Sequence, residues 1–173
     1  AHYRILPQQE QGGGESASSR LATWAYRQNP VSGDLLVRLL EFDENWHCVA
    51  DARAACLQGC TFPPHDFLCT SQRAIWLTSP ARSDLLPFLA GIRGPAECIS
   101  FRAGASSSLH LLSRGPGLRE APEVRSLALA PYHPVHFANA WEVGDDLGRL
   151  ELVGCCWEPK DVAAMARTGA PLL

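Results

Sequence analysis

The histidines are the residues of this chain whose type and placement could do chemistry. There are six, at positions 2, 47, 65, 110, 133 and 136. A neutral imidazole binds borderline metals such as Fe(II) and Zn(II), so imidazoles converging from distant segments would build an all-nitrogen metal centre. Side chains alternate along a strand with period two, and this sorts the candidates. In HPVH, His133 and His136 fall on opposite faces of a regular strand, and they share a metal only if Pro134 kinks it. His110, between Leu109 and Leu111, lies on the face away from two aliphatics and is expected to meet solvent. His47 follows a turn-like Asp-Glu-Asn run and is expected on the surface. His2 in AHYRI, His65 in PPHDFLCTSQRAIW and His136 in PVHFANAWE remain. On type and spacing alone, the plainer reading of each, a hydrogen-bonded core or surface histidine, stays open.

The neighbours add little. The same parity turns Asn139 and Trp141 away from His136. Glu142 shares the parity of His136 but lies too far along the strand to be its carboxylate partner, although metal-bound imidazoles normally donate their second N–H to such a group. The seven cysteines (48, 56, 60, 69, 98, 155 and 156) contain no pair of CxxC knuckles. Zinc ligation is therefore not expected of them, and buried, reduced thiols are.

The chain has 173 residues, 46% of them hydrophobic, which is enough for one domain with a real core. A net charge of −3, with basic residues scattered and Lys160 the single lysine, excludes a broad nucleic-acid footprint. Every apolar run falls well short of the roughly 18 residues a membrane-crossing helix needs.

Short strands between turn signals must position these residues. They are expected at 3–6, 21–27, 35–42, 47–50, 66–70, 74–77, 98–101, 109–113, 124–128, 135–141 and 150–157. Two short helices are expected, one over 83–94, where Pro87 intrudes, and one over 159–169. The run QEQGGGESASS (9–19) reads as a flexible surface loop. Many short strands suggest a sandwich, a barrel or a propeller, and periodicity alone does not choose among them.

At the three histidine segments the sequence resembles the carotenoid cleavage oxygenase family. PPHDFLCTSQRAIW is similar to the family segment whose histidine binds iron, PVHFANAWE to the segment that supplies the next iron histidine, and AHYRI to the segment carrying the first. LLSRG, ending at Gly115, resembles a further family motif, with Ser113 where proline is usual. The resemblance implies a seven-bladed β-propeller with non-haem Fe(II) on its axis, held by four histidines. On that implication residues 1–173 form an all-β, incomplete segment of about four blades with short helical insertions. His2, His65 and His136 would be the first three ligands. No histidine follows His136, so the fourth would lie outside these residues.

What the resemblance implies further is a dioxygenase that uses Fe(II) and O2 to cleave a double bond of a carotenoid or apocarotenoid. Leu85, Leu86, Phe88, Leu89 and Ile92 correspond to an apolar segment that would meet a membrane surface and admit the lipophilic substrate; ordinary core packing is the plainer reading. AHY and GPAECISF are most similar to the branch that makes strigolactone precursors, which implies a plastid, with the cytoplasm second. The alternative is a non-catalytic subunit derived from this fold, lacking a complete metal site and held by protein partners.

Overall fold

The structure, a computed structural model, describes residues 2–6, 19–29, 34–51, 55–114, 124–143 and 149–168. Among these residues thirteen strands and two helices follow one another. The strands are β1 (Tyr3–Leu6), β2 (Arg20–Gln28), β3 (Leu35–Phe42), β4 (Cys48–Asp51), β5 (Ala55–Leu57), β6 (Leu68–Cys69), β7 (Arg73–Thr78) and β8 (Ala81–Ser83). Helix α1 (Leu85–Leu89) and a 3-10 turn (Ala96–Cys98) precede β9 (Ile99–Phe101) and β10 (Ser107–Ser113). Then come β11 (Val124–Leu129), β12 (His133–Val143), β13 (Arg149–Trp157) and α2 (Pro159–Thr168).

Every strand pairing is antiparallel. The first sheet runs β1-β2-β3-β4, with β5 also on β3; the second runs β11-β10-β7-β6; β12-β13 and β8-β9 are two-stranded. Alternation explains how they stack. Leu35, Val37 and Leu39 on β3 meet Ala74, Trp76 and Leu112 of the second sheet in one core. The opposite face of that sheet, with Ile75, Leu77, Leu109 and Leu111, packs on Ala140, Phe137, Leu150 and Leu152 of the β12-β13 hairpin. A third cluster holds α2 to the β8-β9 ribbon through Val162, Ala81 and Phe101. The layers therefore follow one another in series, sheet on sheet on hairpin.

Several expectations change. Among the described residues two sheets of four or more strands form, not about four blades. The segment from β8 to β9 spends its residues on an insertion outside those sheets. Strands β5 and β8 were not expected, because each is only three residues long. The helix over 83–94 contracts to Leu85–Leu89. Pro87 is tolerated there because the first turn needs no N–H from it, and the chain turns away at Gly91, whose φ is +69°.

His110 is 0% exposed rather than solvent-facing. Strand β10 is central in its sheet and covered on both faces, so apolar-polar alternation there does not mean solvent. Thr78 Oγ1 donates to the Ser108 carbonyl at 3.1 Å, so the His110 Nε2–H donates to Thr78 (3.3 Å) and Nδ1 accepts from Ser126 (2.8 Å). Burial pushes its pKa down to about 4. The cysteines are all free, but only Cys60 and Cys98 are buried; Cys48, Cys56, Cys155 and Cys156 are exposed. The loop expected over 9–19 lies outside the described residues, apart from Ser19.

Candidate metal centre

His2 stands just before β1, which pairs with β2 through Tyr3 and Thr23. The Thr23 hydroxyl donates to the His2 carbonyl at 3.0 Å and anchors it to the sheet. His65 sits on the turn that leads into β6. His136 sits on β12 where the ladder to β13 is irregular. Gly154 faces Phe137 across that ladder, and a Cβ at Gly154 would come within 2.6 Å of the Phe137 ring and 2.8 Å of the His136 carbonyl. Only glycine lets the two strands close at this point.

These three segments bring their imidazoles together. One ring nitrogen from each of His2, His65 and His136 lies within 4.8 Å of the other two. The Nε2 atoms of His2 and His65 are 3.2 Å apart, and the ring centroids are separated by 4.7, 5.3 and 4.9 Å with steep interplanar angles. His2 is half-buried and the other two are exposed. Burial is the main influence lowering the His2 pKa; Asp66 opposes it, and His65 and His136 add to it. The neutral, metal-binding form is favoured. A metal with bonds of roughly 2.1 Å to imidazole sets its neighbouring ligand nitrogens about 3.0–3.4 Å apart. The His2–His65 pair already meets that spacing, and a ring nitrogen of the exposed His136 lies within 4.8 Å of both. The donor set therefore fits a borderline divalent ion such as Fe(II).

Beneath the imidazoles is a group that parity and spacing did not single out. Asp66, 3% exposed, accepts from Arg4 Nη2 at 2.7 Å, from the Phe67 N–H at 2.8 Å and from the Phe137 N–H at 2.9 Å. Its Oδ1 is 3.7 Å from His2 Nδ1. Arg4 also donates to the carbonyls of Phe67 (2.8 Å) and Phe137 (3.0 Å). One ion pair thus ties together Asp66 and Phe137, which adjoin His65 and His136, and Arg4, two residues from His2. Two signals were in the sequence: Asp66 directly follows His65, and Arg4 has the parity of His2.

The β12 register overturns the parity argument around His136. Shifts between Pro134 and His136 and between Phe137 and Asn139 pair His133, His136, Asn139 and Trp141 with Trp157, Cys155, Val153 and Glu151. Alternate residues of β13 share a face, so these four do as well. Each extra residue in β12 inverts the parity beyond it. Asn139 and Trp141 are on the face of His136, and Glu142 is on the other, bound to Thr70 and Arg73. His133 nevertheless stays out of the cluster. It is buried against Phe62, Phe101 and Trp157, with its Nδ1 2.7 Å from Ser79 Oγ.

A cleft of about 660 Å³ opens beside His2 and His65. Trp24, Tyr26, Phe62, Pro63 and Pro64 form its apolar walls, and Ser83, two residues before α1, also lines it. Beyond it, Leu86 is 76% exposed, with Phe88, Leu89 and Ile92 also exposed. No described helix is long and apolar enough to cross a membrane.

The sequence profile of the retinal pigment epithelial membrane protein (RPE65) family matches residues 19–170. The chain belongs to this family of carotenoid oxygenases. Within it, the apocarotenoid-15,15'-oxygenase of Synechocystis is 31% identical over 101 residues, which cover 56% of this chain and 19% of that protein. A cobalt-substituted Synechocystis apocarotenoid oxygenase superposes with a TM-score of 0.73 at 26% identity, over 91% of this chain and 29% of the other. A chimera of that enzyme with RPE65 gives 0.66 at 26% identity, over 88% and 28%. The mostly-β architecture with few helices matches part of a propeller-fold structure. The chain spans about a fifth of the curated relative and under a third of these solved structures. The family match includes His65 and His136, while His2 precedes it. None of these relatives supports a plastid location.

Proposed function

We propose that this chain is part of a non-haem Fe(II)-dependent dioxygenase that adds both atoms of O2 across one double bond of a carotenoid or apocarotenoid, giving two carbonyl products. The observation that carries this reading is the convergence of three imidazoles, from three separate segments, beside an apolar cleft. His2, His65 and His136 would hold the iron, which supplies O2 activation when bound. Asp66 and Arg4 keep the three ligand-bearing segments in register. Trp24, Tyr26 and Phe62 offer aromatic faces to a polyene and displace water from it. No described group is required as a nucleophile. The exposed apolar residues of α1 and Ile92 are suited to a lipid surface, and a substrate drawn from that surface would enter a cleft that Ser83, His2 and His65 line together.

A second reading, a non-catalytic interaction subunit, rests on the outer face of the first sheet, where Tyr3 and Ile5 are 60% and 70% exposed. An apolar face of this kind is covered when other protein packs on it. Two measurements separate the readings: the intact mass of the native polypeptide, and the iron content and aldehyde products of that polypeptide incubated with an apocarotenal in air. Stoichiometric iron and two carbonyl products support the oxygenase. A metal-free protein without turnover supports the subunit.

A further inference from the structure

A second cavity, of about 390 Å³, lies between the turn Arg102–Ser106 and helix α2. We propose that it is an oxyanion site for a phosphate ester, gripped by Arg102 and Arg167. Both arginines line it, together with Ser106 and the small residues Ala103, Ala105, Ala163 and Ala166. Arg4, Arg20, Arg73, Arg114 and Arg149 each have a carboxylate partner. Among the described residues, Arg102 and Arg167 have none. Two like charges carried by the lining of one cleft repel each other, and an anion bound there removes that cost. Their planar forks match phosphate oxygens in bidentate geometry, and the Ser106 hydroxyl adds a donor.

A favourable interaction with the end of α2 accounts for Arg167 alone. It does not account for a second arginine on the opposite wall, brought there by a turn in which Gly104 adopts φ +72°. The small side chains matter too, because they leave the space between the charges unfilled. Arg27, Arg82, Arg93 and Arg125 also lack a carboxylate partner among the described residues; what sets Arg102 and Arg167 apart is that both line one cleft.

The phosphate ester has two chemical sources, a lipid headgroup or a soluble molecule. Position favours the lipid, an assignment that rests on the membrane contact proposed for α1. The ribbon β8-β9 is three residues long, with α1 at one end and Arg102 at the other. At ~3.3 Å per residue that is roughly 10 Å. An interfacial helix sinks roughly 5–10 Å into the headgroup and acyl boundary, which would leave Arg102 at headgroup depth.

The test uses the full-length protein with vesicles of phosphatidylcholine alone, or of phosphatidylcholine with phosphatidylglycerol, and with glycerol phosphate as the soluble probe. The variants are Arg102→Gln/Arg167→Gln, the charge-matched control Arg27→Gln/Arg125→Gln, whose residues adjoin neither this cavity nor α1, and Leu86→Asp/Phe88→Asp, each checked by thermal melting. If the double Gln variant melts early, the single variants Arg102→Gln and Arg167→Gln replace it, each expected to lose about five-fold. Two arginines near an anionic surface are together worth about thirty-fold in binding. The cavity variant should lose that preference for anionic vesicles, and glycerol phosphate should compete with vesicles for the wild type and the control but not for the cavity variant. Leu86→Asp/Phe88→Asp should abolish vesicle binding yet still bind glycerol phosphate, so a failed membrane contact is separable from a failed site. Arginine-dependent glycerol phosphate binding without vesicle preference assigns the site to a soluble ester. Absence of glycerol phosphate binding, or equal behaviour of the cavity and control variants, overturns the proposal.

Discussion

Replacing Asp66 by asparagine should loosen the metal centre without touching an imidazole. The carboxylate is 2% exposed at its side chain and accepts three N–H donors, two on Oδ2 and one on Oδ1. Asparagine keeps one acceptor oxygen and turns an NH2 toward the remaining donor, so at least one bond becomes a donor–donor clash. Arg4 meanwhile loses its counter-charge. Breaking a buried ion pair from one side costs roughly 3–5 kcal/mol. The Arg4 side chain is 23% exposed, so solvent recovers part of this, and about 2–4 kcal/mol is expected for Asp66→Asn. Because the same carboxylate holds residues next to His65 and His136 and lies 3.7 Å from His2 Nδ1, divalent-metal affinity should fall about 10–100-fold, the usual effect of removing a group that orients metal ligands. Guanidinium denaturation of the full-length protein gives the first number, and competition for Co(II) against a chelator gives the second. A variant within about 0.5 kcal/mol of wild type and unchanged in Co(II) affinity would refute the clamp.

His136→Ala should lower iron content and abolish cleavage, whereas His133→Ala should retain iron and lose about 2–4 kcal/mol, since it empties a site enclosed by three aromatic rings; metal analysis and melting of both variants decide, and equal wild-type iron in the two would remove His136 from the site. Leu86→Asp with Phe88→Asp should abolish co-sedimentation with liposomes while leaving the melting temperature close to wild type; a strongly lowered melting temperature would make the segment core. Gly154→Ala should cost roughly 1–3 kcal/mol through its clash with Phe137 and the His136 carbonyl, and an unchanged denaturation midpoint would contradict that close approach. For His110, the unfolded chain takes up a proton near pH 6.5, while the buried imidazole stays neutral down to about pH 4. The folded state therefore loses stability as pH falls through that window, by on the order of 3 kcal/mol at most. A denaturation series over that range should show a shallower slope for His110→Gln than for wild type, and identical slopes would mean that His110 does not titrate this way.

Local pattern carried the elements that depend on local physics. The strand over 35–42 appeared at its expected ends because alternating Leu and Val residues bounded by turn signals leave little choice. Pro159, and the apolar positions after it, marked α2 in the same way. The family was legible in three short ordered segments, since metal-binding residue types with their neighbours are written directly in the chain.

What the sequence could not supply was anything that depends on what lies on the far side of a strand. The polar position of His110 between leucines looks like a solvent face until a second sheet covers it. The faces of Asn139, Trp141 and Glu142 were misjudged because strict alternation holds only while the ladder is regular, and two register shifts in β12 inverted it. Arg4, Asp66 and the backbone beside Phe137 are more than sixty residues apart in pairs, and nothing local says that they meet. The chain by itself determined which groups could bind a metal. Only the tertiary structure decided which imidazoles converge and what holds them, because convergence is a property of long-range pairing and burial.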